Sequence, residues 1–306
     1  MSTVPEALPT VEDRSWAETA RIFLDITRPK VIALVLFTGV PALALGKEGW
    51  PSLSVALTVL FGTALAGGAC SALNAYVERD TDAFMARTRN RPIPAATLVP
   101  HVVLAYGLAL SVISTVMLWL IGGPIAAGVG LATILFYVGV YTIWLKPRTP
   151  QNIVIGGAAG STAPLIASAA MDGHISAGAW ILFGIVFLWT PPHFWAIALF
   201  RKKEYANAGL PMMPSIVGNQ PTRWRMLGYT LLLVPFTLLP VWLGYLHVLY
   251  AVAALGLGVW FAAHVIRSLV AQDVRIDRGV FRTSIVYLSL LFLAMLVDMS
   301  IPWGSA

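Results

Sequence analysis

The chain has 306 residues, of which 58% are hydrophobic and 11% charged, with a net charge of +6 and a mean hydropathy of +0.78. A soluble domain carries about a quarter charged residues, so this composition excludes an ordinary soluble enzyme and places the chain in a lipid bilayer. A single cysteine, Cys70, excludes an internal disulfide and a cysteine-rich metal site.

The first thirty residues are polar and mixed in charge, so no cleavable signal peptide is expected. Residues 1–26 read as a cytoplasmic tail, in which Ser15 to Ile26 has the pattern of an amphipathic helix lying on the membrane. Residues 27–306 read as one membrane domain. A bilayer core of about 30 Å needs roughly 20 apolar residues in a helix. Val31–Gly46 gives the first span, entered through Arg28-Pro29-Lys30, and Gly49–Val77 the second. From Pro92 to Leu145 no residue is charged, which is room for two spans with a break at Gly122-Gly123-Pro124. Thr149–Met171 gives a fifth span. Ile175–Phe200 gives a sixth, with a break expected at Pro191-Pro192. Met226–Ile266 holds two more, turning near Gly244–His247, and Val280–Trp303 is the ninth.

Nine spans put the termini on opposite sides, and the positive-inside rule orients them. With a cytoplasmic N-terminus, all but Lys47 of the 20 Lys and Arg residues fall on the cytoplasmic side. This bias accounts for the net charge. The basic residues are spread over five segments, so no nucleic-acid partner is expected; the partner is the lipid bilayer. His101, His174, His247 and Asp298 read as outer-side interfacial residues, and His264 has no assignment.

The second span ends in Asn74-Ala-Tyr-Val-Glu78-Arg-Asp80-Thr-Asp82, and Arg87-Thr-Arg-Asn-Arg91-Pro follows. At about 100° per helical residue, Asn74, Glu78 and Asp82 share one face within about 80°, whereas Asp80 points about 240° round from Asn74. Two carboxylates and an amide oxygen on one face are the hard oxygen ligands that Mg²⁺ prefers when it also binds substrate phosphates. Arg87 and Arg91 supply guanidinium groups suited to phosphate oxygens. Taken singly, each of these residues is more simply a juxtamembrane anchor or a solvated helix cap. Together, ionisable groups at membrane depth default to function.

The same stretch resembles the first acidic motif of the UbiA-type intramembrane prenyltransferases, and is most similar to their protohaem IX farnesyltransferase branch. Tyr141-Thr-Ile-Trp-Leu-Lys146-Pro-Arg-Thr-Pro-Gln-Asn152 and Trp189-Thr-Pro-Pro-His193-Phe-Trp, running on to Arg201-Lys202-Lys203-Glu204-Tyr205, also resemble that branch. The resemblance covers about Thr27 to the C-terminus. It departs in having Glu78 where Asp is usual, and in a second acidic motif reduced to Glu204 among basic residues. The resemblance implies an all-α membrane protein of nine transmembrane helices. They would form a UbiA-type bundle with a central prenyl-diphosphate cavity opening to the cytoplasm. It implies Mg²⁺ held by Asn74, Glu78 and Asp82, with Arg87, Arg91 and His193 completing the catalytic set. Substrate contacts are implied for Lys146, Tyr141, Asn152, Arg201, Lys202, Glu204 and Tyr205. His193 would ligate iron, contact a propionate or move a proton; without the resemblance it reads as a structural histidine.

The implied substrates are farnesyl diphosphate and haem b. The implied setting is a bacterial inner membrane, with a haem A synthase or oxidase assembly factors as partners. A quinone precursor or other aromatic acceptor is the nearest alternative. A transporter would need polar residues at mid-depth, and the polar groups here collect at one face.

Overall fold

A computed structural model describes residues 15–45 and 49–303. Lys47, the one outer basic residue above, Gly46 at the end of the first expected span, and the tail before Ser15 with its Arg14 lie outside the described residues. All regular structure among the described residues is helical.

Helix α1 (Trp16–Thr27) begins at a capping box: Glu18 N–H donates to the Ser15 side chain, and Ser15 N–H donates to the Glu18 carboxylate. Its exposed side contrasts with Ile22 and Phe23, which pack against a small cluster holding Ile26, Ala72, Ala75 and Ile93, and with Ile26 and Thr27, which are buried. Arg28, at φ 58°, ends α1, and Pro29 opens α2 (Pro29–Gly39), continued by a short turn to Leu43; the two segments bend by 54°. Helix α3 (Leu53–Val77) ends at Glu78, and one turn, α4 (Arg79–Ala83), follows.

Helix α5 (Pro100–Leu135) runs straight into a π-helix over Phe136–Leu145. The continuous 46 residues would span about 69 Å at 1.5 Å per residue, over twice a bilayer core. The path breaks at Gly123, whose φ of 76° and ψ of −179° suit glycine alone, and Pro124 restarts it. Two crossings result, as the Gly-Gly-Pro signal predicts.

The remaining crossings are α6 (Asn152–Gly160) with α7 (Ala163–Asp172), α8 (Ala177–Phe200), then α11 (Asn219–Phe236) with α12 (Leu239–Trp242), α13 (Val248–Ala271) and α14 (Val274–Ser300). Seven stretches among the described residues are long and apolar enough to cross a membrane, eight with the bent first pair taken as one span, and the break at Gly123 divides one of them, close to the nine crossings expected. Between α8 and α11 lie the short helices α9 (Lys202–Asn207) and α10 (Met213–Ile216).

One expectation fails. Helix α8 does not break at Pro191-Pro192 but runs through them. Each proline removes a helical hydrogen bond. Here both prolines are buried within the bundle, where neighbouring helices can compensate the freed backbone groups.

Helix α8 lies against α6, α11 and α14, α3 lies along α5, and α13 along α14. The main core gathers Ile185, Trp195, Met226, Tyr250, Phe261, Tyr287 and Phe292 around α8 and α14. The 67% burial of the apolar windows of α6–α7 and α8, against 28% for α5, α11 and α13, separates central from peripheral helices. The peripheral faces expose Phe61, Trp119, Leu120, Trp144, Leu232 and Val259, as lipid contact requires.

Candidate active site

The polar machinery collects at the end of the bundle where α3 stops. Asn74, Glu78 and Asp82 are all buried, at 1%, 8% and 1% exposure, while the Asp80 side chain is 85% exposed. The backbone stays near-helical across Glu78, with Glu78 N–H bonded to Asn74 O and Asp82 N–H to Glu78 O. The three polar groups therefore stack on one face although α3 formally ends between them.

Each oxygen site faces its own cation. Arg28 Nη2 donates to Asn74 Oδ1 at 2.9 Å, Lys146 pairs with Glu78, and Arg91 Nη1 donates to Asp82 Oδ2 at 2.5 Å. Asn74 Nδ2 also donates to Thr142 Oγ1 at 3.2 Å, and Thr88 Oγ1 donates to Asp82 O at 2.8 Å. Burial acts first on the Glu78 carboxyl and would raise it. Lys146, with Arg28 and Asn74, outweighs burial and holds it below the usual carboxylate range.

Asp82 Oδ1 is buried with no hydrogen-bond partner. An orphaned carboxylate oxygen on the same helical face as an amide oxygen and a second carboxylate fits a hard divalent cation.

The π-helix sets the opposite wall. Thr142 Oγ1 donates five residues back to Tyr137 O, and Lys146 N–H bonds five back to Tyr141 O. Such local widening is common at functional sites, and here it brings Thr142 to Asn74 and Lys146 to Glu78. Tyr141 packs on Tyr137 with ring centroids 5.2 Å apart, and Lys146 Nζ lies 5.8 Å from its ring. A Cβ at Gly156 of α6 would collide with the Tyr141 ring, so glycine there lets the ring lie flat against α6. A cavity of about 200 Å³ opens beside Glu78, Thr142, Lys146 and Leu210. Asn152 is buried; its Nδ2 donates to Thr149 O and its Oδ1 has no partner.

His193 lies in a separate aromatic nest. Its ring stacks on Trp189 at 4.3 Å and touches Phe281 at 4.9 Å. Trp189 Nε1 donates to Ser284 O at 2.8 Å. The Ser284 hydroxyl donates its one proton to Phe281 O at 2.7 Å, so at its 2.7 Å contact with His193 Nδ1 it accepts. Nδ1 therefore carries the imidazole proton, assigned from this network, and the Nε2 lone pair is left free.

Arg87, expected in the catalytic set, is exposed beside Arg91, and the expected substrate-contact residues after α8 make contacts of their own. Arg201 Nη1 pairs with Glu204 at 2.8 Å. Lys202 Nζ donates to Asn219 Oδ1 at 3.1 Å, tying α9 to α11, and Tyr205 packs on the main core.

Two expectations outside the site are corrected. His101 opens α5 at the arginine-loop end, opposite His174 and His247. Asp298 is fully buried, accepting from His247 N at 2.8 Å and Tyr250 N at 3.2 Å, and so caps α13. Arg223, counted above only among the cytoplasmic basic residues, is 2% exposed and pairs in bidentate fashion with buried Asp277.

Arg28, Thr142 and Ser284 were not singled out by sequence. For Arg28 a signal existed, an Arg-Pro step where two helical patterns meet. For Thr142 and Ser284 there was none, because an isolated hydroxyl in an apolar run is usually a core residue bonded to its own helix.

Residues 35–297 match the UbiA prenyltransferase family. The chain belongs to the UbiA prenyltransferase family. This UbiA-family chain is 43% identical over 291 residues to a protein named protoheme IX farnesyltransferase from Acidiphilium cryptum, covering 92% of this chain and 91% of that one. It is 44% identical over 291 residues to one of the same name from Parvibaculum lavamentivorans, covering 94% and 91%. Its fold is similar to a digeranylgeranylglyceryl phosphate synthase structure (TM-score 0.76, 16% identity, 92% and 98% covered). It is also similar to a UbiA homologue of Archaeoglobus fulgidus bound to GPP and Mg²⁺ (TM-score 0.64, 15% identity, 90% and 99% covered).

Proposed function

We propose that this UbiA-family chain is a Mg²⁺-dependent protohaem IX farnesyltransferase, joining the farnesyl group of farnesyl diphosphate to a vinyl group of haem b to give haem O. The observation that carries the reading is the sustained identity to enzymes of that name, 43% and 44% across more than nine-tenths of the chain.

The buried site fits the donor half of this reaction. Asn74, Glu78 and Asp82 would hold Mg²⁺, which when bound supplies charge neutralisation for a diphosphate leaving group. Arg28, Arg91 and Lys146 already stand against those oxygens, with exposed Arg87 beside them, so the chain's cations are preorganised around a polyanion. The farnesyl tail suits the apolar interior beyond Tyr141 and Tyr137. The bond from C1 of the farnesyl group to diphosphate breaks as C1 joins the terminal vinyl carbon. Water adds at the inner vinyl carbon and loses a proton. The free Nε2 of His193 serves the acceptor side.

The same reading sets the chain in a bacterial inner membrane with its N-terminus and active site cytoplasmic, supported by the basic-residue bias. Supply of haem O to a haem A synthase or to oxidase assembly is the setting in which such a product is used.

The deciding experiment incubates the purified protein in lipid nanodiscs with haem b, farnesyl diphosphate and Mg²⁺. A more hydrophobic haem on reverse-phase chromatography is expected. Prenylation of an aromatic acid instead, with no haem product, would overturn the acceptor assignment.

A further inference from the structure

A second cavity, about 350 Å³, opens at the cytoplasmic end of α8 and α14 and shares no lining residue with the one beside Glu78. Its walls are Phe200, Arg201, Glu204, Arg278, Phe281 and Arg282. Its volume lies in the range of small-molecule sites, about 300–1,000 Å³.

The charge there is unbalanced. Glu204 neutralises Arg201 at 2.8 Å. Among the described residues no carboxylate lies within ion-pair distance of Arg278 or Arg282. The two are one turn apart on α14, an arrangement that repels. An exposed arginine that served only as a lipid anchor would extend outward. Arg278 instead turns onto the Phe200 ring, 5.4 Å from its centroid, with Arg201 5.7 Å from the same ring.

The apolar side of this cavity leads to the acceptor machinery. Phe281 lies 5.9 Å from Phe200 and 4.9 Å from His193, ring to ring. A flat aromatic ligand with two anionic groups on one edge matches these features: rings to lie along, and two unpaired guanidinium groups at the mouth.

We propose that Arg278 and Arg282 bind the two propionate carboxylates of the tetrapyrrole acceptor, and so orient its vinyl edge inward past Phe281 and His193. The inference rests on the haem reading above. Vinyls and propionates occupy opposite edges of the macrocycle, so anchoring one edge selects which edge reaches the reaction centre. Arg278 and Arg282 are then specificity-determining residues, with no part in diphosphate chemistry.

The test uses full-length protein in nanodiscs and compares haem b with its dimethyl ester, in which the propionates are neutral. Wild type should prefer the free acid in kcat/KM. R278Q/R282Q should raise the KM for haem b by roughly tenfold to a hundredfold, the effect of losing charge-assisted hydrogen bonds. It should turn over acid and ester alike and keep the KM for farnesyl diphosphate. R278K/R282K, which keeps the charges, should recover part of the preference. Retained acid preference in R278Q/R282Q overturns the proposal. So does a raised KM for farnesyl diphosphate with haem KM unchanged, which assigns the cavity to diphosphate. So too does an effect that disappears when phosphatidylglycerol is left out of the nanodisc, which assigns it to lipid phosphate. Wild type that farnesylates both haems equally sinks this proposal alone; wild type that farnesylates neither sinks the haem reading itself.

Discussion

Asp80 and Asp82 stand two residues apart with opposite fates, because a helix turns about 200° over that interval. Asp80 meets solvent and, at 3.9 Å, only Arg79; Asp82 is buried, with one oxygen on Arg91 and the other unpartnered. Asp82→Ala should lower Mg²⁺-dependent turnover by at least about a hundredfold, since even outer-shell changes at metal sites cost 10–100-fold. Asp80→Ala should stay within about twofold, as exposed substitutions do. Side-by-side turnover measurements check both, and equal losses would refute the one-face argument. Glu78 carries a pH prediction. Its folded pKa lies below the ordinary value of 4.5, so its stabilisation is complete above that value. It is lost as the pH falls through the lowered one. Wild type should therefore lose thermal stability below pH 4.5 more steeply than Glu78→Gln, measured by melting in detergent across pH 3 to 6.

At the scale of elements, helices are tied by buried polar clamps away from the chemistry. Arg223 on α11 grips Asp277 on α14 through two contacts of 3.0 and 2.6 Å, and Ser268 on α13 donates to the same carboxylate at 2.5 Å. Removing one partner of a buried pair costs about 3–5 kcal/mol, because the other charge is stranded. Arg223→Ala should thus lower the melting temperature sharply while KM for farnesyl diphosphate in the surviving folded protein stays unchanged. The π-helix makes the converse case. Gly156→Ala forces Tyr141 off α6, and through that wall it should disturb Lys146 and Glu78, lowering kcat with a smaller stability change. The Lys146 to Glu78 pairing depends on this wall, and steady-state kinetics beside thermal melts separate the two effects.

Across the whole molecule, the arginine-rich loop after α4, the Lys146 turn and the α8–α9 corner lie at one end, with His174 and the Gly244 turn at the other. In a cysteine-light background, Asp80→Cys should label with a membrane-impermeant thiol reagent only from the cytoplasmic side, and His174→Cys only from the opposite side. Labelling of both from one side would break the nine-span topology, and exchange of the two sides would invert it.

Spans, the broken crossing at Gly123 and the shared face of Asn74, Glu78 and Asp82 were legible in the sequence. They follow from local rules: hydropathy over one bilayer thickness, glycine at positive φ, and 100° per helical residue. Tertiary structure alone decided which cation meets which oxygen. Arg28 reaches Asn74 across 46 residues of chain and Lys146 reaches Glu78 across 68. No local periodicity encodes such distances. The unbroken path through Pro191-Pro192 and the burial of Arg223 and Asp298 have the same origin, because neighbouring helices supply partners that the local chain lacks. The chain thus determined by itself where its apolar spans fall and which polar residues share a face at the end of α3. Only packing set a cation against each oxygen of that face and placed Phe281 of α14 against His193.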